Sequence, residues 1–199
     1  MKLYLVLVGA VLLVGGVWAI VHWIRFQRLV RRERRERFEA WTKMARSRGF
    51  EVVTRGDDFV MRGTVASRSF EIDGGHFITY GMDVENVLHF PVEDEEATFS
   101  IARWEWVDPP RHLARHFADV TRFDAHHGVR TNEAGKPWIA RFGPRERQLL
   151  LDHDELDVLQ RAGEVWIRLP YVITPSDLDA ACQLVASVWG VPPSGENVP

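Results

Sequence analysis

The feature that most constrains this chain is an unbroken run of residues without formal charge near its amino terminus. The run reads LYLVLVGAVLLVGGVWAIVHWI and covers 22 positions, residues 3–24. As an α-helix it would extend about 33 Å, which matches the hydrocarbon core of a bilayer. A cleavable signal peptide has a shorter apolar core and a small-residue cleavage site, whereas this run ends in His-Trp-Ile-Arg. We therefore predict an uncleaved transmembrane helix over residues 1–24.

A cluster of arginines follows the run, while only Lys2 precedes it. Because basic residues are retained on the cytoplasmic side, the pattern predicts a single-pass inner-membrane protein with its amino terminus outside and its carboxyl-terminal domain cytoplasmic. The same side chains suit anionic lipid headgroups, at roughly 1 kcal/mol for each residue near the surface. The arginines predicted to set topology and contact the membrane surface are Arg25, Arg28, Arg31, Arg32, Arg34, Arg35 and Arg37.

The charge distribution argues against nucleic-acid binding. Residues 1–37 carry eight basic and two acidic groups, whereas residues 38–199 carry 17 basic and 26 acidic groups. A domain of that sign repels phosphate backbones and lacks the basic face of a nucleic-acid-binding protein. We expect no nucleic-acid partner.

Residues 25–49 are predicted to form a basic juxtamembrane stem. Oppositely charged residues lie four apart, as in Arg32 with Glu36, and apolar residues resume at helical spacing from Phe38. Gly49 supplies a helix stop, so the membrane helix is expected to continue into an amphipathic helix that ends near Arg48. A flexible charged linker is the alternative.

Two features of the apolar run concern partners. Gly15 and Ala19 are small residues four apart, a spacing that favours close packing against another helix. His22 is an unusual residue for a membrane helix and is a candidate pigment or haem ligand. Its place one turn from the cytoplasmic end also allows contact with headgroups. No cofactor is predicted.

The remaining chain is long enough for one globular domain, residues 50–190, followed by a tail, residues 191–199. The single cysteine, Cys182, excludes an internal disulfide bond and fits a reducing compartment. Strands dominate and do not alternate with helices, so the predicted class is α+β, with a mostly antiparallel sheet and about three short helices.

The periodicity predicts individual elements. Strands are expected at 50–54, 58–65, 68–73, 76–80, 85–90 and 97–104, with further strands at 123–131 and 137–142. Residues 91–97 form an acidic loop. A hairpin bends at Ala162 and Gly163. Helices are expected at 111–117, at 144–152 and from the Thr174 cap to Gly190.

The histidines raise the question of a metal site. His112 and His116 lie four apart on a predicted helix, and His126 and His127 follow soon after. Neither an HExxH motif nor a cysteine pair accompanies them, and adjacent residues of a strand point to opposite sides. We therefore predict no metal site and interpret these four residues as surface histidines.

Sequence motifs of catalysis are also missing. The chain has no phosphate-binding loop, no dinucleotide-binding fingerprint and no G-x-S-x-G motif. Carboxylates are plentiful, but the sequence does not place any pair in a shared pocket. The protein is predicted not to be an enzyme.

The chain resembles a group of uncharacterised bacterial proteins that have one amino-terminal span and a cytoplasmic α+β domain. The resemblance rests on FEAWTKMARSRGFEV, VMRGTVASRSFEID, TRFDAHHGVR and the final hairpin with its helix, within residues 38–190. It implies a fold and a topology, but no activity and no catalytic residues.

These observations lead to three hypotheses of function. The first is a membrane-anchored, non-enzymatic accessory or scaffolding subunit that docks on the cytoplasmic face of an integral membrane complex, respiratory and photosynthetic complexes being examples. The second is a stand-alone membrane-surface binding or sensor domain. The third is a metal-dependent enzyme.

Overall fold

A computed structural model describes residues 2–56, 58–73, 86–103, 114–116, 121–153 and 155–190. In the first helix the described side chains begin at Gly15, and of residues 114–116 and 121 only the backbone is described. The chain divides into two compact units, Met1–Lys43 and Met44–Pro199.

The first element is a long helix, α1, Lys2–Arg46. It ends through the predicted glycine stop, because Gly49 adopts φ +72° and the Phe50 N–H donates to the carbonyl of Ala45 at 2.9 Å. In the described part of the chain, no helix is both long and apolar enough to cross a membrane. The transmembrane helix over residues 1–24 therefore has no support from the described residues and stays a prediction.

The described part of the second unit contains a nine-stranded sheet. In chain order the strands are β1 Glu51–Arg55, β2 Asp58–Val65, β3 Arg68–Asp73, β4 Asn86–Pro91, β5 Phe99–Arg103, β6 Ala114–His116, β7 His127–Thr131, β8 Asp157–Arg161 and β9 Glu164–Leu169. The spatial order is β1-β2-β3-β4-β9-β8-β5-β7-β6, and every pairing is antiparallel. This confirms the α+β class with an antiparallel sheet.

One face of the sheet forms the core. A single cross-strand row runs from β2 to β7, and its members are buried: Met61, Ile72, Leu88, Ile167, Val158, Ile101 and Val129. Paired residues in neighbouring strands lie on the same face of the sheet, so this row marks the face that is turned towards the core. Burial of each such side chain stabilises the fold by about 1.5–3 kcal/mol.

Short helices accompany the sheet. They are α2 Thr121–His126, α3 Lys136–Ala140, α4 Pro144–Asp152 and α5 Pro175–Leu184, with a π-helical turn over Val185–Trp189. Helix α5 contacts β9 and α4, and its buried side chains include Leu178, Ala181 and Leu184. The helices predicted at 144–152 and after Thr174 are confirmed, as is the hairpin at Ala162 and Gly163.

Three predicted elements are wrong in whole or part. A helix was predicted at 111–117, but residues 114–116 form a strand. A strand was predicted at 123–131, but its first half belongs to helix α2. The strand predicted at 137–142 is mostly helix α3, because Pro137 occupies a first helical turn and Ile139 and Phe142 are buried three residues apart. The strand predicted at 76–80 lies outside the described residues.

Candidate functional site

The face of the sheet opposite the core carries a row of polar side chains across its first four strands. Glu51 pairs with Arg62, Arg62 with Glu71 and Glu71 with His89. Asp73 lies two residues after Glu71 and shares its face. The strand register therefore brings together acidic, basic and imidazole groups that are scattered in sequence.

The side chains of this row form a compact charged network. The Arg62 Nε donates to Glu71 Oε1 at 2.8 Å, and the Arg55 Nη2 donates to Glu71 Oε2 at 2.8 Å. The His89 Nε2 lies 3.6 Å from Asp73 Oδ2 and 3.9 Å from Glu71 Oε2. We call Glu71, Asp73 and His89 the β3–β4 cluster. One ring nitrogen of His89 and one carboxylate oxygen each of Glu71 and Asp73 all lie within 4.8 Å of one another.

The two arginines keep the Glu71 carboxylate ionised. Partial burial of Glu71 on its own raises the pKa, but the hydrogen bonds from Arg55 and Arg62 and the attraction of their charges outweigh it and lower the pKa below its ordinary value. Glu71 is consequently an anion at neutral pH and cannot act as a general acid there.

A groove of about 730 Å³ runs along this charged face and ends at the β3–β4 cluster. Its polar lining nearly balances in charge, and includes Arg48, Glu51, Arg62, Glu71, His89 and Glu164. Such a lining does not attract polyanions. Arg48 is also held in place, because its Nε and Nη2 donate to the two carboxylate oxygens of Asp179 at 2.6 and 2.7 Å.

A glycine is required beside this groove. A Cβ atom on Gly63 would lie 2.7 Å from Phe70 Cζ and closer still to the Phe50 ring. These two rings meet edge to face with centroids 5.0 Å apart. Gly63 therefore permits the aromatic contact that borders the groove.

The histidines singled out in the sequence do not gather in the described structure. His126 is exposed at the end of α2, whereas the adjacent His127 is buried and stacks on Phe123 with ring centroids 4.8 Å apart. His127 is thus a core residue, contrary to its interpretation as a surface histidine. His112 and the side chain of His116 lie outside the described residues. Conversely, the sequence did not predict the β3–β4 cluster. The two-residue spacing of Glu71 and Asp73 on a predicted strand places these carboxylates on one face of the strand, but it does not place them next to His89.

Helix α1 has an exposed apolar segment. Every side chain at residues 15–25 is exposed, including Trp18 at 66% and Trp23 at 63%. Space is open around Gly15, and the His22 ring lies edge to face on Trp18 at 4.6 Å. The helix-packing role of Gly15 and Ala19 and a ligand role for His22 stay predictions.

The arginines that follow form helix-stabilising pairs. The Arg32 Nε donates to Glu36 at 2.8 Å and the Arg35 Nε to Glu39 at 2.9 Å, both four residues apart. Exposed pairs of this kind support a helix only weakly. The arginine stretch lies within the continuous helix α1, so the alternative of a flexible linker is not supported.

A second polar constellation resembles a catalytic arrangement but caps a helix. The His153 Nδ1 donates to Asp177 Oδ1 at 2.8 Å, and the Thr174 hydroxyl donates to Asp177 Oδ2 at 2.6 Å. The Thr174 Oγ1 accepts from the Asp177 N–H, and Asp177 accepts from the Thr174 N–H, which is a capping box. The Thr174 and Ser176 hydroxyls contact each other at 2.8 Å, and the Thr174 hydroxyl donates to Asp177, so in these contacts both serve the cap and not the imidazole.

The capping box predicts an acid-sensitive contribution to stability. Burial raises the pKa of Asp177, but hydrogen bonds from Thr174 and His153 outweigh burial and lower it. Because the folded-state pKa lies below the unfolded-state value, the carboxylate stabilises the fold above about pH 4 and loses that effect as pH falls through the folded-state pKa. Asp177→Asn is expected to cost about 0.5–2 kcal/mol at pH 7 and less at pH 3, measured by urea unfolding. Asp152→Asn, on an exposed helix residue, is the control; a cost for Asp177→Asn that is equal at both pH values would contradict the prediction.

The single cysteine is poorly suited to nucleophilic chemistry. Burial, together with the nearby charge of Asp179, raises the pKa of Cys182 to about 11 despite the opposing effect of Arg48. The thiol is therefore protonated at neutral pH and lacks the thiolate that a reactive cysteine needs.

Comparisons with known proteins add little beyond this geometry. No family model matches the sequence, and no curated protein does so. Among solved structures, the chain is similar to the mycobacterial trehalose monomycolate transport factor A, TtfA, with 14% identity and a TM-score of 0.49 over 80% of this chain and 99% of that one. At this identity and TM-score the likeness carries no inference about activity or partners.

Proposed function

We propose that this protein is a membrane-anchored, non-enzymatic accessory or scaffolding subunit whose acidic domain docks on the cytoplasmic face of an integral membrane complex. The observation that carries the proposal is the exposed apolar segment of α1. Between Val17 and Ile24, six large apolar side chains are 42–66% exposed. Exposed apolar surface of this extent marks contact with a membrane or with another protein.

The distribution of these side chains favours lipid over a single partner groove. Val17, Trp18, Ile20, Val21, Trp23 and Ile24 follow one another too closely to occupy one stripe, since successive helical residues are rotated by about 100°. A helix that is apolar on all sides needs an apolar environment on all sides. The two tryptophans also suit the level of the headgroups.

The residues after this segment support anchoring from one side. Seven arginines follow it, and the chain then becomes acidic. Arginines next to an apolar helix favour the cytoplasmic leaflet with its anionic lipids. The proposed inner-membrane orientation, with the domain in the cytoplasm, rests on this asymmetry.

The domain itself favours docking over catalysis. Glu71 is held ionised by two arginines, Asp177 belongs to a helix cap, and Cys182 is a protonated thiol. Among the described residues, these three groups thus have a structural partner or an unreactive form. A scaffolding role needs none of them.

The decisive experiment is isolation of the full chain from membranes in a mild detergent, with quantitative mass spectrometry of what is retained. We expect an integral membrane partner at fixed stoichiometry, and we expect deletion of this protein to lower the abundance of that partner. A protein that purifies alone from membranes would contradict the accessory role and favour the stand-alone membrane-surface domain.

The acidic loop before β5 offers a specific test of docking. Glu93, Glu95 and Glu96 are exposed, whereas Asp94 accepts hydrogen bonds from the Trp138 Nε1 at 2.7 Å and from the Ala97 N–H at 3.0 Å. The indole hydrogen bond lowers the pKa of Asp94 and holds the loop. A docking test must therefore change the three glutamates and leave Asp94 intact.

Reversing these three charges to lysine is expected to lower the amount of co-purified partner at least tenfold at low salt, because like charges across an interface cost about several kcal/mol. The effect should shrink with added salt, since the Debye length falls from about 10 Å at 0.1 M to about 3 Å at 1 M. Reversal of Glu133, Asp152 and Glu155, three exposed acidic residues elsewhere, is the matched control with the same change in net charge. Equal losses in both triple variants would refute a specific role for the loop.

A further inference from the structure

We propose that the β3–β4 cluster, formed by Glu71, Asp73 and His89, is a binding site for a divalent transition-metal ion. This goes beyond the proposed docking role. The two distances from the His89 Nε2 are 3.6 Å to Asp73 Oδ2 and 3.9 Å to Glu71 Oε2. A tetrahedral zinc ion with bonds of about 2.0–2.2 Å places its ligand atoms roughly 3.3–3.6 Å apart. The first pair already has that separation, and the second needs a side-chain adjustment of a few tenths of an ångström.

The backbone gives these ligands a fixed origin. Glu71 faces His89 directly across the β3–β4 pair, and Asp73 lies diagonally from His89 on the same face. Ligands on paired strands are positioned more accurately than ligands on loops. The three side chains are 28%, 51% and 34% exposed, so solvent reaches the site and can complete the coordination.

The composition of the cluster selects the class of ion. Imidazole nitrogen and carboxylate oxygen are both zinc ligands, and a set of three such ligands leaves a fourth position open to water. Magnesium and calcium prefer oxygen ligands throughout, so they suit this set less well.

The neighbouring arginines set a limit on affinity. Arg62 occupies Glu71 Oε1, and Arg55 donates to Glu71 Oε2 and approaches Asp73 Oδ1 at 3.7 Å. An ionised carboxylate oxygen has a second lone pair, so Oε2 can accept from Arg55 and bind an ion at once. The positive charge of Arg55 opposes a cation nearby. Removal of Arg55 should therefore strengthen binding, which distinguishes this site from surface histidines at large.

The test uses the purified full chain in mild detergent, freed of metal with a chelator and titrated with zinc chloride by calorimetry. We expect one site per chain. Asp73→Asn and His89→Gln should each weaken zinc binding at least about tenfold, and Arg55→Gln should tighten it. His126→Gln, which removes an exposed histidine on α2, should change nothing. Absence of a saturable site, or equal losses in His89→Gln and His126→Gln, would overturn the proposal.

Substitutions that remove a ligand could weaken zinc binding through misfolding, so a variant that adds a ligand provides an independent test. Val87 pairs with Asp73 and shares its face with His89, so Val87→His adds an imidazole next to the existing three ligands. We expect zinc to bind Val87→His more tightly than wild type by at least about tenfold and to raise its melting temperature. Unchanged affinity in this variant, with a wild-type circular dichroism spectrum, would count against the cluster.

Discussion

Trp189→Ala is expected to lower the free energy of unfolding by about 3–5 kcal/mol. Among the described residues, Trp189 is the largest fully buried side chain and is 1% exposed. Its ring contacts four other aromatic rings with centroids 5.5–6.4 Å away, namely Phe90, Phe99, Trp138 and Phe142. Truncation would remove these contacts and leave a cavity that a packed core cannot close.

A buried hydrogen bond adds to this cost. The Trp189 Nε1 donates to Gln160 Oε1 at 2.9 Å. Without the indole, the Gln160 oxygen would be buried without that donor, which costs about 1–3 kcal/mol. Trp189→Phe should therefore lower the free energy of unfolding less in a Gln160→Leu background than in the wild type. With leucine at position 160, the substitution leaves no buried amide oxygen without its donor.

Urea unfolding followed by circular dichroism measures both effects. The control is Trp166→Ala, a tryptophan on β9 that is only half-buried on the polar face of the sheet. We expect it to cost clearly less than Trp189→Ala. A cost for Trp189→Ala below about 1.5 kcal/mol would mean that the aromatic cluster does not organise the core.

The second large effect concerns α1. Substitution of five of its exposed apolar residues by serine, at positions Trp18, Ile20, Val21, Trp23 and Ile24, is expected to reduce binding to vesicles at least a hundredfold. Each large apolar side chain buried in lipid contributes about 1.5–3 kcal/mol, and tenfold corresponds to about 1.4 kcal/mol, so the loss of two such contributions suffices. Vesicle flotation of the full chain provides the measurement.

The matched control replaces Tyr171 and Val172, two exposed apolar residues outside α1, by serine. That variant should float as the wild type does. Replacement of the seven arginines by glutamine should leave the apolar contribution intact but disturb the orientation, which a reporter fused at Pro199 detects. An unchanged floating fraction in the five-serine variant would exclude the exposed segment Trp18–Ile24 as a contributor to the anchor.

The sequence predicts the strands of this fold where alternation is strong. The predicted strands at 58–65 and 68–73 coincide with β2 and β3, because the large apolar residues recur at a spacing of two, Phe59 with Met61 and Phe70 with Ile72. The last helix was predictable for another reason, since Thr174 is a capping residue and Gly190 a stop.

Alternation misled where short helices bury few residues. Trp138, Ala140 and Phe142 have the spacing of a strand, but the buried residues are Ile139 within α3 and Phe142 just after it, at a helical spacing of three. In so short a segment the two periods cannot be separated, and Pro137 was the better guide. The same ambiguity hid α2, in which only Phe123 among the described apolar side chains is deeply buried.

The β3–β4 cluster could not be predicted from sequence because it depends on register. Residues 74–85 separate β3 from β4, and the pairing of Glu71 with His89 is set by the meeting of Ile72 with Leu88 in the core. A shift of one residue would turn His89 towards the core and away from both carboxylates. Periodicity assigns each residue to a face but does not align two strands that are distant in sequence.

The order of the strands has a consequence for how the chain acquires its structure during synthesis. The hairpin of β8 and β9 lies between β4 and β5, so it joins strands β1–β4 to strands β5–β7. Until this carboxyl-terminal hairpin emerges from the ribosome, β4 and β5 each present an unpaired edge that can pair with other chains. The sheet must therefore be completed after most of the protein has been translated. A chain interrupted before Asp157 would carry two open edges and should aggregate instead of accumulating as a folded half.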